Sequence, residues 1–100
     1  MIYILAIRQL VPGKMAEYRE AETKGLIPVL KKSGAKMVGH WNTLIGNSYE
    51  TVNLLAFDDM AHFLKFRGDP DYQKVGAAIG AITVSANLRL LEPSEWSPMK

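Results

Sequence analysis

The side chains in this sequence that could do chemistry crowd into one stretch, KMVGHWNTLIGN over residues 36–47, where His40, Trp41 and Asn42 stand side by side. An unperturbed imidazole titrates at about pH 6.5, so a histidine lining a pocket can take or give a proton at physiological pH. An asparagine amide can orient a ligand carbonyl or simply satisfy a neighbour, and a tryptophan can stack on a ligand or anchor a core. The stretch reads as a strand, in which successive side chains point to opposite faces. His40 and Asn42 therefore share one face and Trp41 takes the other, so the three cannot act as a single cluster. His40 reads either as a hydrogen-bonded histidine inside the sheet or as a proton carrier in a pocket. Trp41, placed by this alternation on the side of Met37 and Ile45, reads as a core or interface anchor or as a stacking surface.

Further polar residues fall in other candidate strands: Asn53 in one, and Thr83, Ser85, Asn87 and Arg89 as an alternating row in another. Burying an unmatched arginine or amide is costly, so that row must form a hydrogen-bonded seam, a solvated edge or a pocket wall. His62, next to Phe63, reads as a surface residue. With two histidines far apart and no cysteine, no spacing suggests a metal centre. Asp58-Asp59 reads as a helix cap and Asp69 and Asp71 as loop charge around Pro70. Paired carboxylates for hydrolysis, a glycine-rich phosphate loop and a Ser/His/Asp motif are not evident, and no cofactor is implied.

These residues must be positioned by alternating elements. Ile2 to Leu10 is rich in β-branched and aromatic residues and is ended by Val11-Pro12-Gly13, predicting a first strand. From Lys14 the apolar spacing becomes helical, with Met15, Tyr18, Ala21, Leu26, Val29 and Leu30 near one face and Glu17, Arg19, Glu20, Glu22 and Lys24 towards water. Gly25 and Pro28 predict a kink or break before the helix ends at Ser33-Gly34. A second strand over about 36–45, a turn at Gly46-Asn47-Ser48 and a third strand over about 50–57 form an antiparallel hairpin. Asp58-Asp59 caps a helix through Phe66, Gly68-Asp69-Pro70 breaks it, and a second helical piece spans 71–80. A fourth strand over 82–91 follows. The domain spans 1–93, and 94–100 is a tail whose prolines argue against further regular structure.

The order β-α-β-β-α-β, with short connections and right-handed crossovers, predicts an α+β ferredoxin-like fold, a four-stranded antiparallel sheet with both helices on one face. Hydrophobic residues are 48% of the chain and charged residues 22%, the balance of a globular protein. A net charge of +2, with scattered basic residues, gives no footprint for nucleic acid or an anionic membrane. The apolar opening MIYILAI lacks the flanks of a signal peptide, and no run approaches the roughly 20 apolar residues of a membrane span. The expected address is the cytoplasm. One feature of the pattern conflicts with a monomer. Ile2, Ile4 and Ala6 oppose Tyr3, Leu5 and Ile7, and Val52, Leu54 and Ala56 oppose Leu55 and Phe57, so both sheet faces are apolar. The helices suffice for only one face, and a bare apolar face is more than monomers usually expose. Face-to-face pairing of two copies about a twofold axis, giving a dimeric α+β barrel, supplies the second cover.

The segments IYILAIRQLVPGKMAEY, GHWNTLIGNSYETVNLLAFDD, DPDYQKV and RLLEPSEWSPMK together resemble the NIPSNAP family of the dimeric α+β barrel superfamily, over nearly the whole chain. The matching features are Pro12-Gly13-Lys14 closing strand one, Gly39-His40-Trp41 and Gly46 in and after strand two, Asp69-Pro70-Asp71-Tyr72 opening the later helix, and Arg89, Leu91 and Pro93 closing strand four. His40 stands where the family usually has an aromatic residue before the tryptophan, and Asn87-Leu88 departs from its usual polar pair. The resemblance implies a fold and a homodimer more than an activity.

Two functions are expected from these features. One is a homodimeric domain binding a small, largely apolar ligand or a protein partner in a cleft between sheet and helices, with Tyr18 at its mouth and His40, Trp41, Asn42, Asn53, Asn87 and Arg89 as candidate contacts. The other, by analogy with the wider superfamily, is a cofactor-independent oxygenase or isomerase using His40, which requires His40 in a closed cavity with a polar partner in reach.

Overall fold

The computed structural model describes residues 1–99. The β-branched run Ile2–Leu10 forms β1, which lies between two partners: β3 (Glu50–Phe57) on one side and β4 (Thr83–Leu91) on the other. β2 (Lys36–Asn42) borders β3, and every pairing is antiparallel, in the order β2-β3-β1-β4. This is the expected ferredoxin-like sheet.

Gly13, at φ 85°, makes the turn out of β1 in the left-handed region that a residue with a Cβ disfavours. The chain then enters one long helical run: α1 (Met15–Ala21), a π-helical turn (Glu22–Leu26) and α2 (Ile27–Ser33). The expected break at Gly25 and Pro28 takes the form of this widened turn, and the helix carries on through it. Pro28 has no amide to donate towards residue 24, and the Thr23 hydroxyl donates back to the Arg19 carbonyl at 2.8 Å, so ordinary helical pairing is disturbed from both sides. Gly34, at φ 79°, ends the helix, with the Ala35 amide donating to the Leu30 carbonyl at 3.0 Å.

α3 (Met60–Arg67) starts where the Asp59 carboxylate accepts the His62 amide at 2.8 Å, and α4 (Pro70–Ala81) where Asp69 accepts the Asp71 amide at 2.7 Å. α4 thus begins at Pro70, a residue earlier than its expected start, because Asp69 is its cap. His62 is not a surface residue. Its side chain is largely buried; Nδ1 accepts from the Asp58 amide at 3.0 Å and Nε2 donates to the Ser33 carbonyl at 2.6 Å, tying α3 to the end of α2.

The helices cover one sheet face. Ile2, Ile4, Leu55, Phe57 and Met37 pack with Leu26, Val29, Leu30 and Phe66, and Phe57 meets Phe63 and Phe66 edge-on, with ring centroids 5.4 and 5.2 Å apart. By register the opposite face carries Tyr3, Leu5 and Ile7 beside Ala56, Leu54 and Val52, so both faces are apolar as the alternation implies. β4 is thinly covered on either side: Val84, Leu88 and Leu90 are all exposed.

Two bulges correct the expected alternation. The β2–β3 register slips between Met37 and Gly39, which puts Met37 on the helix side with His40, not with Trp41. A second slip between Gln9 and Leu10 turns Thr83 towards the helices, where it accepts from Arg8 at 3.1 Å and donates to the Ile79 carbonyl at 2.7 Å. β2 also stops at Asn42, short of the expected end. Leu44 and Ile45 sit in a seven-residue loop and are almost wholly exposed, 96% and 97%. Glu50 closes that loop, its carboxylate accepting from the Thr43 hydroxyl at 2.6 Å and the Asn47 amide at 3.2 Å. No strand or helix follows Leu91 among the described residues, and Lys100 of the expected tail lies outside them.

Candidate functional site

A polar group lies in the gap between the first helical run and the β2–β3 hairpin. Tyr18 on α1 is 2% exposed, and its phenol oxygen lies 3.1 Å from His40 Nε2 on β2, the rings tilted with centroids 5.8 Å apart. One turn further along the same helix face comes Glu22, only 5% exposed although its residue type argues for water. Glu22 Oε1 accepts from Asn53 Nδ2 at 3.1 Å. The register explains the meeting: His40 pairs with Asn53 and Asn42 with Thr51, so these four side chains rise from adjacent strands on the helix side.

Burial pushes the ionisation of the Tyr18 phenol well above its ordinary value of 10.0; the nearby Thr51 hydroxyl opposes that shift and the Glu22 carboxylate adds to it. Tyr18 is therefore a neutral hydroxyl at any physiological pH, able to donate one hydrogen bond and accept another. Beneath it three buried oxygens lack a partner among the described residues: Glu22 Oε2, Asn53 Oδ1 and Thr51 Oγ1. No Lys, Arg or His forms an ion pair with Glu22 among the described residues. A buried carboxylate held by one amide, with its second oxygen unmet, is an expensive arrangement.

Above this group opens a cleft of about 490 Å³. Met15, Ile27 and Met37 give it apolar walls, and Tyr18, Glu22, His40 and Asn42 its polar side. Arg19 is the one Lys or Arg on its lining. His40 and Asn42 are exposed at the edge of the sheet, so in the single chain the cleft is open to solvent, not the closed cavity expected for catalysis. Tyr18 forms its floor and not its mouth, because the α1 face that carries it packs down onto the sheet.

Of the sequence candidates, Tyr18, His40 and Asn42 line the cleft and Asn53 lies under it. Trp41, Asn87 and Arg89 do not join them. Trp41 pairs with Val52, Asn87 with Ile7 and Arg89 with Leu5, all on the face without helices. There the Trp41 ring lies over Gly39, where a Cβ would come within 2.3 Å of its Cη2. Arg89 donates to the Leu88 carbonyl at 3.2 Å. Sequence reasoning missed Glu22, assigned to the water side of the helix. The available signal was its spacing of four from Tyr18, which stacks both on one helix face.

The family model described as NIPSNAP matches residues 3–98. No curated protein matches the chain. Among solved structures, a NIPSNAP family protein from Agrobacterium tumefaciens str. C58 superposes with a TM-score of 0.81 at 21% identity, covering 99% of this chain and 98% of that one. An uncharacterised NIPSNAP domain protein from Burkholderia xenovorans gives 0.79 at 20% identity, covering 98% and 99%. A protein from Caulobacter crescentus CB15 whose suggested role is that of an antibiotic biosynthesis monooxygenase gives 0.83 at 18% identity, covering 94% and 90%. At these identities the likeness is one of fold.

Proposed function

This chain belongs to the NIPSNAP family, and from that premise we propose that it is a homodimeric domain that binds a small, largely apolar ligand in the cleft between its first helical run and β2. The observation that carries the reading is the buried carboxylate of Glu22 on the lining of the cleft. A structural core gains nothing from an acid whose second oxygen meets no donor, whereas binding sites combine apolar walls with a few convergent polar groups of this kind. Here Met15, Ile27 and Met37 supply the walls and Tyr18, His40 and Asn42 the orienting groups.

Support for the dimer is the helix-free face, where Leu5, Ile7, Val52 and Leu54 form an apolar layer beside Trp41, itself 52% exposed. A second copy laid face to face covers that layer by twofold symmetry. In that arrangement Asn87 and Arg89 belong to the seam between copies.

The test of binding is methyl NMR of the intact protein against a library of small aromatic and aliphatic fragments. Fragments should shift the Met15, Met37 and Ile27 methyl signals together, and Ile27→Trp, which fills the cleft, should abolish the effect. If no fragment moves these three signals, the cleft is not a ligand site.

A second reading, a cofactor-independent oxygenase or isomerase, is favoured by the Tyr18–His40 contact and by the fold shared with the Caulobacter protein. On that reading His40 takes a proton from an acidic substrate O–H or C–H. The resulting anion is either reprotonated at another carbon, giving an isomer, or oxidised by dioxygen as co-substrate.

A further inference from the structure

Resting on the reading of the cleft as a ligand site, we infer that the ligand carries a hydrogen-bond-donating head, a hydroxyl or an amine, which is received by Glu22 and Asn53. The argument is an inventory of what the floor can offer. A carboxylate oxygen and an amide oxygen only accept, and Glu22 Oε2 and Asn53 Oδ1 are both buried without a donor. The Asn53 amide nitrogen is already engaged with Glu22 Oε1. Thr51 Oγ1, also buried and unmatched, can accept as well. The Tyr18 hydroxyl has a single proton to share among His40, Thr51, Glu22 and Asn53, all of which lie near it. The floor is short of protons to share, and a ligand that brings them satisfies it.

The same inventory excludes an anionic head. A carboxylate or phosphate on the ligand would meet the Glu22 carboxylate at close range in a desolvated place, where like charges repel strongly. The compensating cation, Arg19, lies on the lining of the cleft and not among the buried atoms. The head gains access by taking over the contact between Tyr18 and His40. His40 lies on the edge strand β2, just beyond the bulge at Met37–Gly39, and is exposed, so its ring can give way without unpacking the core. The apolar body of the ligand then lies against Met15, Ile27 and Met37.

Four probes of one shape separate the alternatives: 4-ethylphenol, 4-ethylbenzylamine, 4-ethylbenzoate and ethylbenzene, titrated into the intact protein and followed by NMR of the His40 ring and the Met15 and Met37 methyls. The phenol or the amine should bind at least about tenfold more tightly than the benzoate and ethylbenzene, since a hydrogen bond to a charged acceptor is among the stronger ones. Whichever of the two prevails tells whether the head is a hydroxyl or an ammonium. Glu22→Gln should lower that preference to within about twofold. If benzoate or ethylbenzene binds as tightly as the donors and moves the same signals, the cleft is a ligand site but its head group is not a donor. If none of the four moves His40, Met15 or Met37, both this inference and the reading beneath it fail. Because the comparison among probes is made on the unmodified protein, it holds even if Glu22→Gln folds poorly.

Discussion

The Tyr18 hydroxyl and His40 Nε2 meet at 3.1 Å across the gap between the first helix and the edge strand of the sheet. This contact joins a buried phenol to an exposed imidazole, and both line the same cleft as the buried Glu22. The contact ties stability, pH response and binding to the same few side chains.

The phenol predicts an alkaline transition. Its folded ionisation lies above the ordinary 10.0, so folded and unfolded chains are alike below that pH, and above it only the unfolded chain releases the proton. Stability should therefore fall as pH rises past about 10, by up to about 1.4 kcal/mol per pH unit from this group. Tyr18→Phe should flatten that slope. The ultraviolet titration of Tyr18, taken as the difference from Tyr18→Phe, should appear only as the protein unfolds. Its appearance at about pH 10 in the folded protein would contradict its burial.

Glu22→Gln should stabilise the fold. The amide keeps an oxygen to accept from Asn53 and puts an uncharged N–H donor in place of the unmet carboxylate oxygen. Removing an unpaired buried charge in this way should raise stability by about 1 kcal/mol at pH 7 in urea unfolding. A loss of that size would mean that the carboxylate is already satisfied and that its place in the binding argument is mistaken.

Gly39→Ala tests the other face. The new Cβ would come within 2.3 Å of Trp41 Cη2, so the ring must lift from the strand. Because the ring is half exposed and can move, we expect a cost of at most about 1 kcal/mol and a shift in tryptophan emission. The remaining tryptophan, Trp96, is 84% exposed and already reports water. Unchanged emission would place the ring elsewhere.

Ile7→Glu tests the proposed pairing of copies. Ile7 sits at the middle of β1 on the helix-free face, in register with Val52 and Asn87. A carboxylate there would be buried at the interface without a partner. The natural chain should sediment at twice its 11.1 kDa mass at micromolar concentration, and the variant as a single chain. A natural protein that sediments as one chain would remove the dimer.

Much of the fold was legible in the sequence because it rests on period and punctuation. The β-branched run of β1, the aspartate cap at Asp59 and the glycine at Gly34 each state a local preference that the packing keeps, whereas Asp69, read as loop charge, proves to be a cap. The site was less legible. Alternation put His40 and Asn42 together correctly, but it misplaced Met37, since a bulge changes parity without leaving a mark in residue type. Glu22 read as solvent-facing because a lone glutamate on a helix almost always is. Its spacing of four from Tyr18 was the one local sign, and the Asn53 that meets it comes from a strand 31 residues later. His62 was hidden for the same reason, its partner at Ser33 being 29 residues away.

The decisive measurement is a crystal structure of the protein grown with 4-ethylphenol or 4-ethylbenzylamine, whichever binds more tightly. We predict its ring between Met15, Ile27 and Met37, its hydroxyl or ammonium within hydrogen-bond distance of Glu22, and His40 turned away from Tyr18. A cleft empty of either probe, with the Tyr18–His40 contact intact, would contradict this.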